Sequence, residues 1–354
     1  MHAHPPLTLL VTALLLAAPA EAQGRGRRNF DPDGIKLEHL TLAVKSFRSE
    51  AIGQDAQYAV FLPKDYADEK NKDTKYPLVI WLHGMFEDHL RFAGRGGAPV
   101  LDAAVGDGKL PPCVFVCPDG GRTSMYVNRK DAKYEDLITK DLLAHLEKEY
   151  RLSGRREDRA LLGVSMGGMA ALRIAFQQPE LFGAVGVHSA AILPEDPNNL
   201  PERMKGAAKQ FGLAEVFGDP IEKGPWEKAN PLCIAHTLKP ATLKGLRVYF
   251  DAGTEDRYGF ATGNEALHKV LDEKGIEHTW RLIEGGGHSW GAGFQDQTLP
   301  FSFALVGETF RAAGAKKDGL GGLDGAMGEK GEKGEKAKDA DAKGDKQPED
   351  QKKR

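Results

Sequence analysis

Cysteine is scarce, with three among 354 residues: Cys113, Cys117 and Cys233. So few exclude a disulfide-built scaffold and a Cys-rich zinc module. Cys113 and Cys117 flank Val114-Phe115-Val116 on one face of a predicted strand, about 13 Å apart along it, beyond the Cα reach of a disulfide. Buried free thiols are therefore expected. Neither sign of charge is in excess: 48 Lys and Arg face 51 Asp and Glu, a net charge of −3. That balance supplies no broad attraction to phosphate backbones or anionic lipid, so neither nucleic acid nor a membrane surface is an expected partner. A membrane-spanning helix is not expected either. The apolar run Leu7 to Ala18 has twelve residues, whereas a spanning helix needs about 20.

That same run reads as the core of an export signal. Ala20-Glu21-Ala22 follows with the small-x-small pattern of a cleavage site, so residues 1–22 are a predicted signal peptide and Gln23 the predicted mature start. Arg25, Arg27 and Arg28 come after the apolar run and no Lys or Arg precedes it, the reverse of the usual bias. At the other end, residues 314–354 are Lys, Glu, Asp, Gly and Ala with almost no large apolar side chain, a composition that cannot bury a core. Glycine recurs there at every third position from Gly319 to Gly334, a collagen-like spacing without proline, and a solvated disordered tail is expected. A folded region of residues 23–313 remains.

Within it, strands are predicted at His39–Phe47, Gln57–Leu62, Tyr76–His83, Cys113–Cys117, Arg159–Val164, Phe182–His188, Leu246–Ala252 and His278–Ile283. The near-continuous apolar runs at Tyr76–His83 and Cys113–Cys117 suit strands covered on both faces, as in a parallel sheet. Leu137, Ile138, Leu142, Leu146 and Tyr150 recur at helical spacing. Further helices are predicted from Gly167 to Gln177, over Thr262–Lys274 and over Leu299–Ala312. The alternation argues for an α/β fold with a mostly parallel central sheet and helices on both faces. Ser189–Leu243 reads as an insertion with helical pieces at Pro201–Phe211 and Trp226–His236, expected to cover the carboxyl ends of the strands.

Chemistry enters at Gly163-Val164-Ser165-Met166-Gly167-Gly168, a Gly-x-Ser-x-Gly pattern entered from an apolar strand and left by a small-residue helix. A serine at so tight a strand-to-helix turn projects its hydroxyl outward, and the helix N-terminus favours developing negative charge. A serine hydroxyl needs a base. Among eleven histidines, His288 follows a strand through the flexible Glu284-Gly285-Gly286-Gly287 loop and lies C-terminal to the serine, whereas His39, His145, His236, His268 and His278 sit in periodic segments and read as structural. Three carboxylates, Asp251, Glu255 and Asp256, stand at the end of the strand before it. Asp256 is the first candidate to orient the imidazole, since it lies a turn beyond the strand, and Glu255 the second. Met166 N–H, directly after the serine, and the turn His83-Gly84-Met85-Phe86, most directly Met85 N–H, are the candidate oxyanion donors. His83, Glu87 and His89 lack the spacing of a metal site, so no metal or cofactor is expected.

Several stretches then occur in a recognisable order. They are the Leu-His-Gly turn, Cys117-Pro118-Asp119-Gly120-Gly121, Tyr150-Arg151, the elbow with Ala170-Ala171-Leu172, Pro179-Glu180-Leu181-Phe182, Gly253-Thr254-Glu255-Asp256 and Gly286-Gly287-His288-Ser289-Trp290. In this the chain resembles the esterase D family of α/β-hydrolases, which includes feruloyl and acetyl-xylan esterases, S-formylglutathione hydrolases and mycolyltransferases. The resemblance implies an α/β-hydrolase fold with Ser165 as nucleophile, Asp256 as acid, His288 as base and Met85 and Met166 as oxyanion donors. It also implies a small-molecule or carbohydrate ester as substrate. Two other readings stand beside a secreted ester hydrolase: acyl transfer to a sugar hydroxyl, and a non-catalytic carbohydrate-binding protein on the same fold. Tyr126 and Trp290 are the candidate substrate contacts.

Overall fold

A computed structural model of the chain describes residues 31–288, Ala207 excepted, and residues 294–314. The predicted signal peptide, the predicted tail beyond Gly314 and Trp290 lie outside the described residues. Eight strands form one sheet: β1 Leu40–Ser49, β2 Gln54–Pro63, β3 Leu78–Leu82, β4 Val114–Pro118, β5 Arg159–Val164, β6 Ala184–His188, β7 Arg247–Gly253 and β8 Thr279–Ile283. Their order is β1-β2-β4-β3-β5-β6-β7-β8. β2 runs antiparallel to both β1 and β4, and every other pair is parallel. The sheet is thus mostly parallel, as its apolar strands predict.

Alternation along each central strand feeds two cores. In β4, Val114 and Val116 face one core while Phe115 and Cys117 face the other; in β3, Leu78, Ile80 and Leu82 are separated in the same way from Val79 and Trp81. The first core is closed by helices Leu143–Glu149, Met166–Gln177 and Phe260–Glu273, the second by Gly97–Gly106 and Phe294–Ala312. Leu299, Phe303, Val306 and Phe310 lie along one face of the last helix and are buried in the second core.

Three local departures from the sequence reading have physical causes. The helix Gly97–Gly106 has no counterpart among the predicted elements; its Pro99 is tolerated because a proline in the first turn removes only an N–H that has no helical acceptor. The helical periodicity over 134–150 is interrupted by a π-helical turn at Leu137–Leu142. The helix expected over Trp226–His236 is two, Lys223–Ala229 and Pro231–Thr237. Asn230 separates them because a residue before proline avoids helical backbone, and its side chain caps the second helix through Leu232 N–H at 3.0 Å.

Candidate active site

The strand order reverses between β3 and β5: the connection leaving β3 runs to β4 on one side, that leaving β5 to β6 on the other. In such sheets the crevice outside the carboxyl ends at the reversal is where ligands bind. Ser165 follows β5 there, and the His83-Gly84-Met85-Phe86 turn follows β3. Ser165 has φ 54° and ψ −116°, a conformation that is strained for any residue with a side chain. Ser165 N–H donates to His188 O at 3.0 Å, and its carbonyl accepts from Met169 N–H and Ala191 N–H, each at 2.9 Å. Glycine is needed on both sides of the elbow. A Cβ on Gly167 would lie 2.2 Å from Leu82 O, and one on Gly163 would lie 2.6 Å from Gly167 O.

His288 Nε2 lies 3.1 Å from Ser165 Oγ, and His288 Nδ1 lies 2.8 Å from Asp256 Oδ2. The second carboxylate oxygen, Asp256 Oδ1, accepts Tyr258 N–H at 2.8 Å. The carboxylate is fully buried, while the rings of Tyr258 and Phe260 meet the imidazole edge-on at 4.6 and 5.4 Å. Three side chains from loops after β5, β7 and β8 are therefore brought together. The other two carboxylates at the end of β7 go elsewhere. Glu255 is exposed, and Asp251 is buried with His188, its Oδ2 2.8 Å from His188 Nδ1.

The turn after β3 is wired from within. His83 Nε2 accepts Gly120 N–H at 3.0 Å, so its proton sits on Nδ1, which donates to Gly84 O at 2.8 Å. Gly84 N–H donates to Glu87 Oε2 at 2.9 Å and Phe86 N–H to Arg122 O at 2.7 Å. Met85 N–H lies between these committed amides. Met166 opens its helix, where an N–H has no acceptor within the helix. Both residues line, with Ser165 and His288, a cavity of about 530 Å³. Its walls are apolar at Phe86, Met125, Leu193, Phe211 and Phe260, and the insertion contributes Ala191, Leu193, Met204, Phe211 and Leu213.

Tyr126 departs from expectation. It is fully buried, its hydroxyl donating to His83 O at 3.4 Å, and its neighbour Met125 lines the cavity in its place. The fully buried Arg173 causes this, because its guanidinium donates to Met125 O at 3.1 Å and to Tyr126 O at 2.6 Å and so draws the loop inward. Arg91, Arg95 and Arg257 also line the cavity, and the sequence reading missed them. The spacing of Glu87, Arg91 and Arg95 gave no helical signal, since only Arg91–Gly94 is helical and the three meet through the turns on either side of it.

His83, Glu87 and His89 do not form one set: His83 Nε2 and His89 Nδ1 face the two oxygens of Asp119 at 3.7 and 3.9 Å, while Glu87 turns to the backbone and to arginine. Among the described residues, one possible ligand set does come together, His268, Asp272 and His278, with ligand atoms within 4.8 Å of one another. It stands at the amino end of β8, away from the end that leads to His288. Its two histidines, both among the five read as structural, are bonded to each other, His268 Nδ1 to His278 Nε2 at 2.8 Å.

Comparison with known proteins gives the family. The family model described as "Putative esterase" matches residues 49–302. The chain is 27% identical over 243 residues to an endo-1,4-beta-xylanase/feruloyl esterase of Xylanibacter ruminicola, covering 66% of this chain and 31% of that protein. It is 25% identical over 260 residues to Esterase MT1326 of Mycobacterium tuberculosis, covering 68% and 54%. The chain thus spans about a third and about half of these two relatives. A solved ferulic acid esterase superposes with a TM-score of 0.64 at 25% identity, over 77% of this chain and all of the other. The chain belongs to this esterase family and has the α/β-hydrolase fold.

Proposed function

We propose that the chain is an exported serine carboxylic-ester hydrolase in which Ser165 is the nucleophile, His288 the base and Asp256 the acid that orients it. The observation carrying this reading is the continuous contact Ser165–His288–Asp256, 3.1 and 2.8 Å, opening on an apolar-walled cavity. In the proposed cycle Ser165 Oγ bonds to the ester carbonyl carbon as its proton passes to His288 Nε2. The carbonyl oxygen, now an anion, meets Met85 N–H and Met166 N–H. Collapse breaks the bond to the alkoxy oxygen, which leaves with the proton from His288. A water molecule then gives a proton to His288, adds to the acyl carbon and releases the acid, returning the proton to Ser165. Asp256 holds the imidazole in the tautomer whose Nε2 faces the serine and offsets the charge of the imidazolium.

The aromatic walls fit a flat acyl group, and the name of the Xylanibacter relative points to feruloyl esters of plant carbohydrate. Ser165→Ala tests the core of the reading. It retains the wild-type circular dichroism spectrum and loses hydrolysis of a short p-nitrophenyl ester by roughly a thousandfold or more; full activity in a folded variant overturns the assignment. A screen of feruloyl, acetyl-xylan and short aliphatic esters, with and without an acceptor alcohol, identifies the acyl group and separates hydrolysis from acyl transfer. Export is read from Leu7–Ala18 and Ala20-Glu21-Ala22. N-terminal sequencing of exported protein should begin at Gln23, and a chain retaining Met1 would refute it.

A further inference from the structure

The cavity carries a charge imbalance for which ester cleavage alone has no use. Among the described residues its charged lining beside His288 consists of three arginines, Arg91, Arg95 and Arg257, and a single carboxylate, Glu87. Glu87 is already engaged twice. Its Oε2 accepts Gly84 N–H, and its Oε1 lies 2.9 Å from Arg95 Nη2 and 3.4 Å from Arg91 Nε. One unit of negative charge therefore serves two guanidinium groups as well as a backbone turn. Arg257, which also lines the cavity, lies over the ring of Tyr258 at 4.9 Å and donates to the Tyr258 hydroxyl at 3.1 Å. Among the described residues no carboxylate forms an ion pair with it. Its neighbour Asp256 is buried against His288.

Arg95 makes the imbalance concrete. Its Nε is buried without a hydrogen-bond partner, which is costly for a charged group. Burial pulls its guanidinium below the ordinary value; Glu87 opposes this, and the nearby charges of Arg91 and Arg257 add to it. A guanidinium in that position gains from an incoming oxyanion, and its planar fork matches a carboxylate with two parallel bonds. The cluster also lies close to the reacting atoms. A Cβ built on Gly84 would be 3.1 Å from Glu87 Oε2 and 3.5 Å from Ser165 Cβ, so a single glycine separates the serine from the carboxylate that anchors both arginines. A purely structural role, pinning the turn after β3 through Glu87, accounts for one arginine. It does not account for a second on the same carboxylate or for Arg257, which lines the cavity without reaching that carboxylate.

We propose that Arg91, Arg95 and Arg257 form an anion subsite in the cavity wall, and that the ester this protein cleaves carries a carboxylate close to its scissile carbonyl. The inference rests on the hydrolase reading above and adds the substrate's charge to it. The carboxylate could belong to the acyl half, as in a half-ester of a dicarboxylic acid, or to the alcohol half, as in an acylated hydroxy acid. Matched substrates separate the two sources. p-Nitrophenyl hemiglutarate against p-nitrophenyl valerate tests the acyl half, and 4-acetoxybenzoate against 4-acetoxybenzamide tests the alcohol half.

In one of the two pairs the anion is expected to exceed its neutral partner in kcat/KM by about tenfold or more at low salt, with the gap narrowing as salt is added. Arg95→Met keeps the aliphatic stem and should lower that ratio about tenfold. Arg257→Met, at an exposed position where folding is not at stake, should lower it as well. A ratio of one or less in both pairs, or a ratio untouched by both substitutions, overturns the subsite. If neutral esters are then still cleaved and a fluorophosphonate still labels Ser165, the subsite alone has failed. If no ester is cleaved and no label is taken up, the hydrolase reading has failed with it.

Discussion

Two serines in this protein end the same kind of hydrogen-bond chain. Ser165 meets His288, which meets Asp256; Ser302 meets His188 at 3.0 Å, which meets Asp251 at 2.8 Å. What separates them is access. Ser302 is fully buried and also bonded to Leu299 O at 3.0 Å, and Asp251 is further occupied by the Tyr249 hydroxyl at 2.8 Å. Ser165 opens on a cavity and is held in a strained backbone. The contrast makes a prediction for the three carboxylates that follow one another along the chain. Asp256→Asn should lower kcat by about three to four orders of magnitude with the fold intact, since the amide favours the wrong imidazole tautomer. Glu255→Gln should leave kcat near wild type, because that side chain is exposed. Asp251→Asn should lower the urea midpoint, since the variant disturbs a buried network rather than the reaction. Steady-state kinetics and equilibrium unfolding of the three variants check the whole assignment, and a kinetic defect confined to Glu255→Gln would reverse it.

Among the elements, the helix Met166–Gln177 acts at both ends. Its first turn presents Met166 N–H beside Ser165, and from its interior Arg173 reaches the Met125 and Tyr126 carbonyls and Glu135 Oε2 at 3.0 Å. One helix therefore fixes both the nucleophile turn and the Ser124–Val127 loop that supplies Met125 to the cavity. Arg173→Met should cost about 2 to 4 kcal/mol, since it removes charge-assisted bonds and leaves two carbonyls without donors. Urea denaturation measures that loss, and a shift below about half a kcal/mol would mean that the loop is held by other contacts. The same loop shows why Tyr126 could not be placed from sequence. Its neighbours suggest a site border, but whether Met125 or Tyr126 turns inward depends on an arginine nearly fifty residues away.

At the scale of the whole molecule, each face of the sheet closes its own core, and the thiols record how dry one of them is. Burial pushes the Cys113 thiol up to about 12 and Cys117 well above its usual value, while Cys233, only partly buried, is pushed up to about 11 by burial and by Glu195 and Glu227. The reactive form is the thiolate, present at Cys113 to roughly one part in ten thousand at pH 8. In the native protein at pH 8, Ellman's reagent should therefore find Cys113 and Cys117 silent and Cys233 slow, with all three reacting once the chain is unfolded. Rapid native titration of two or more thiols would contradict the burial. The linked effect on stability has a definite sign. Below the unfolded value near 9.0 the buried neutral thiol costs nothing extra. As pH rises from there toward 12, only the unfolded chain readily releases the Cys113 proton, so stability falls.

The sequence by itself determined the features whose cause is local. Near-continuous apolar runs placed the buried strands β3 and β4, because a strand covered on both faces must be apolar at every position. The elbow was legible because a serine at that turn demands glycine on either side, and chain order together with a flexible loop singled out His288. The tertiary structure alone buried Tyr126 and gave the cavity wall Met125 in its place, and it set Arg91 and Arg95 on Glu87 with Arg257, from a distant segment, lining the same cavity. Those outcomes depend on which groups meet across the sheet and how water is excluded from them. A one-dimensional pattern gives the candidates for such meetings, but the energies that choose among them arise only once the layers are packed.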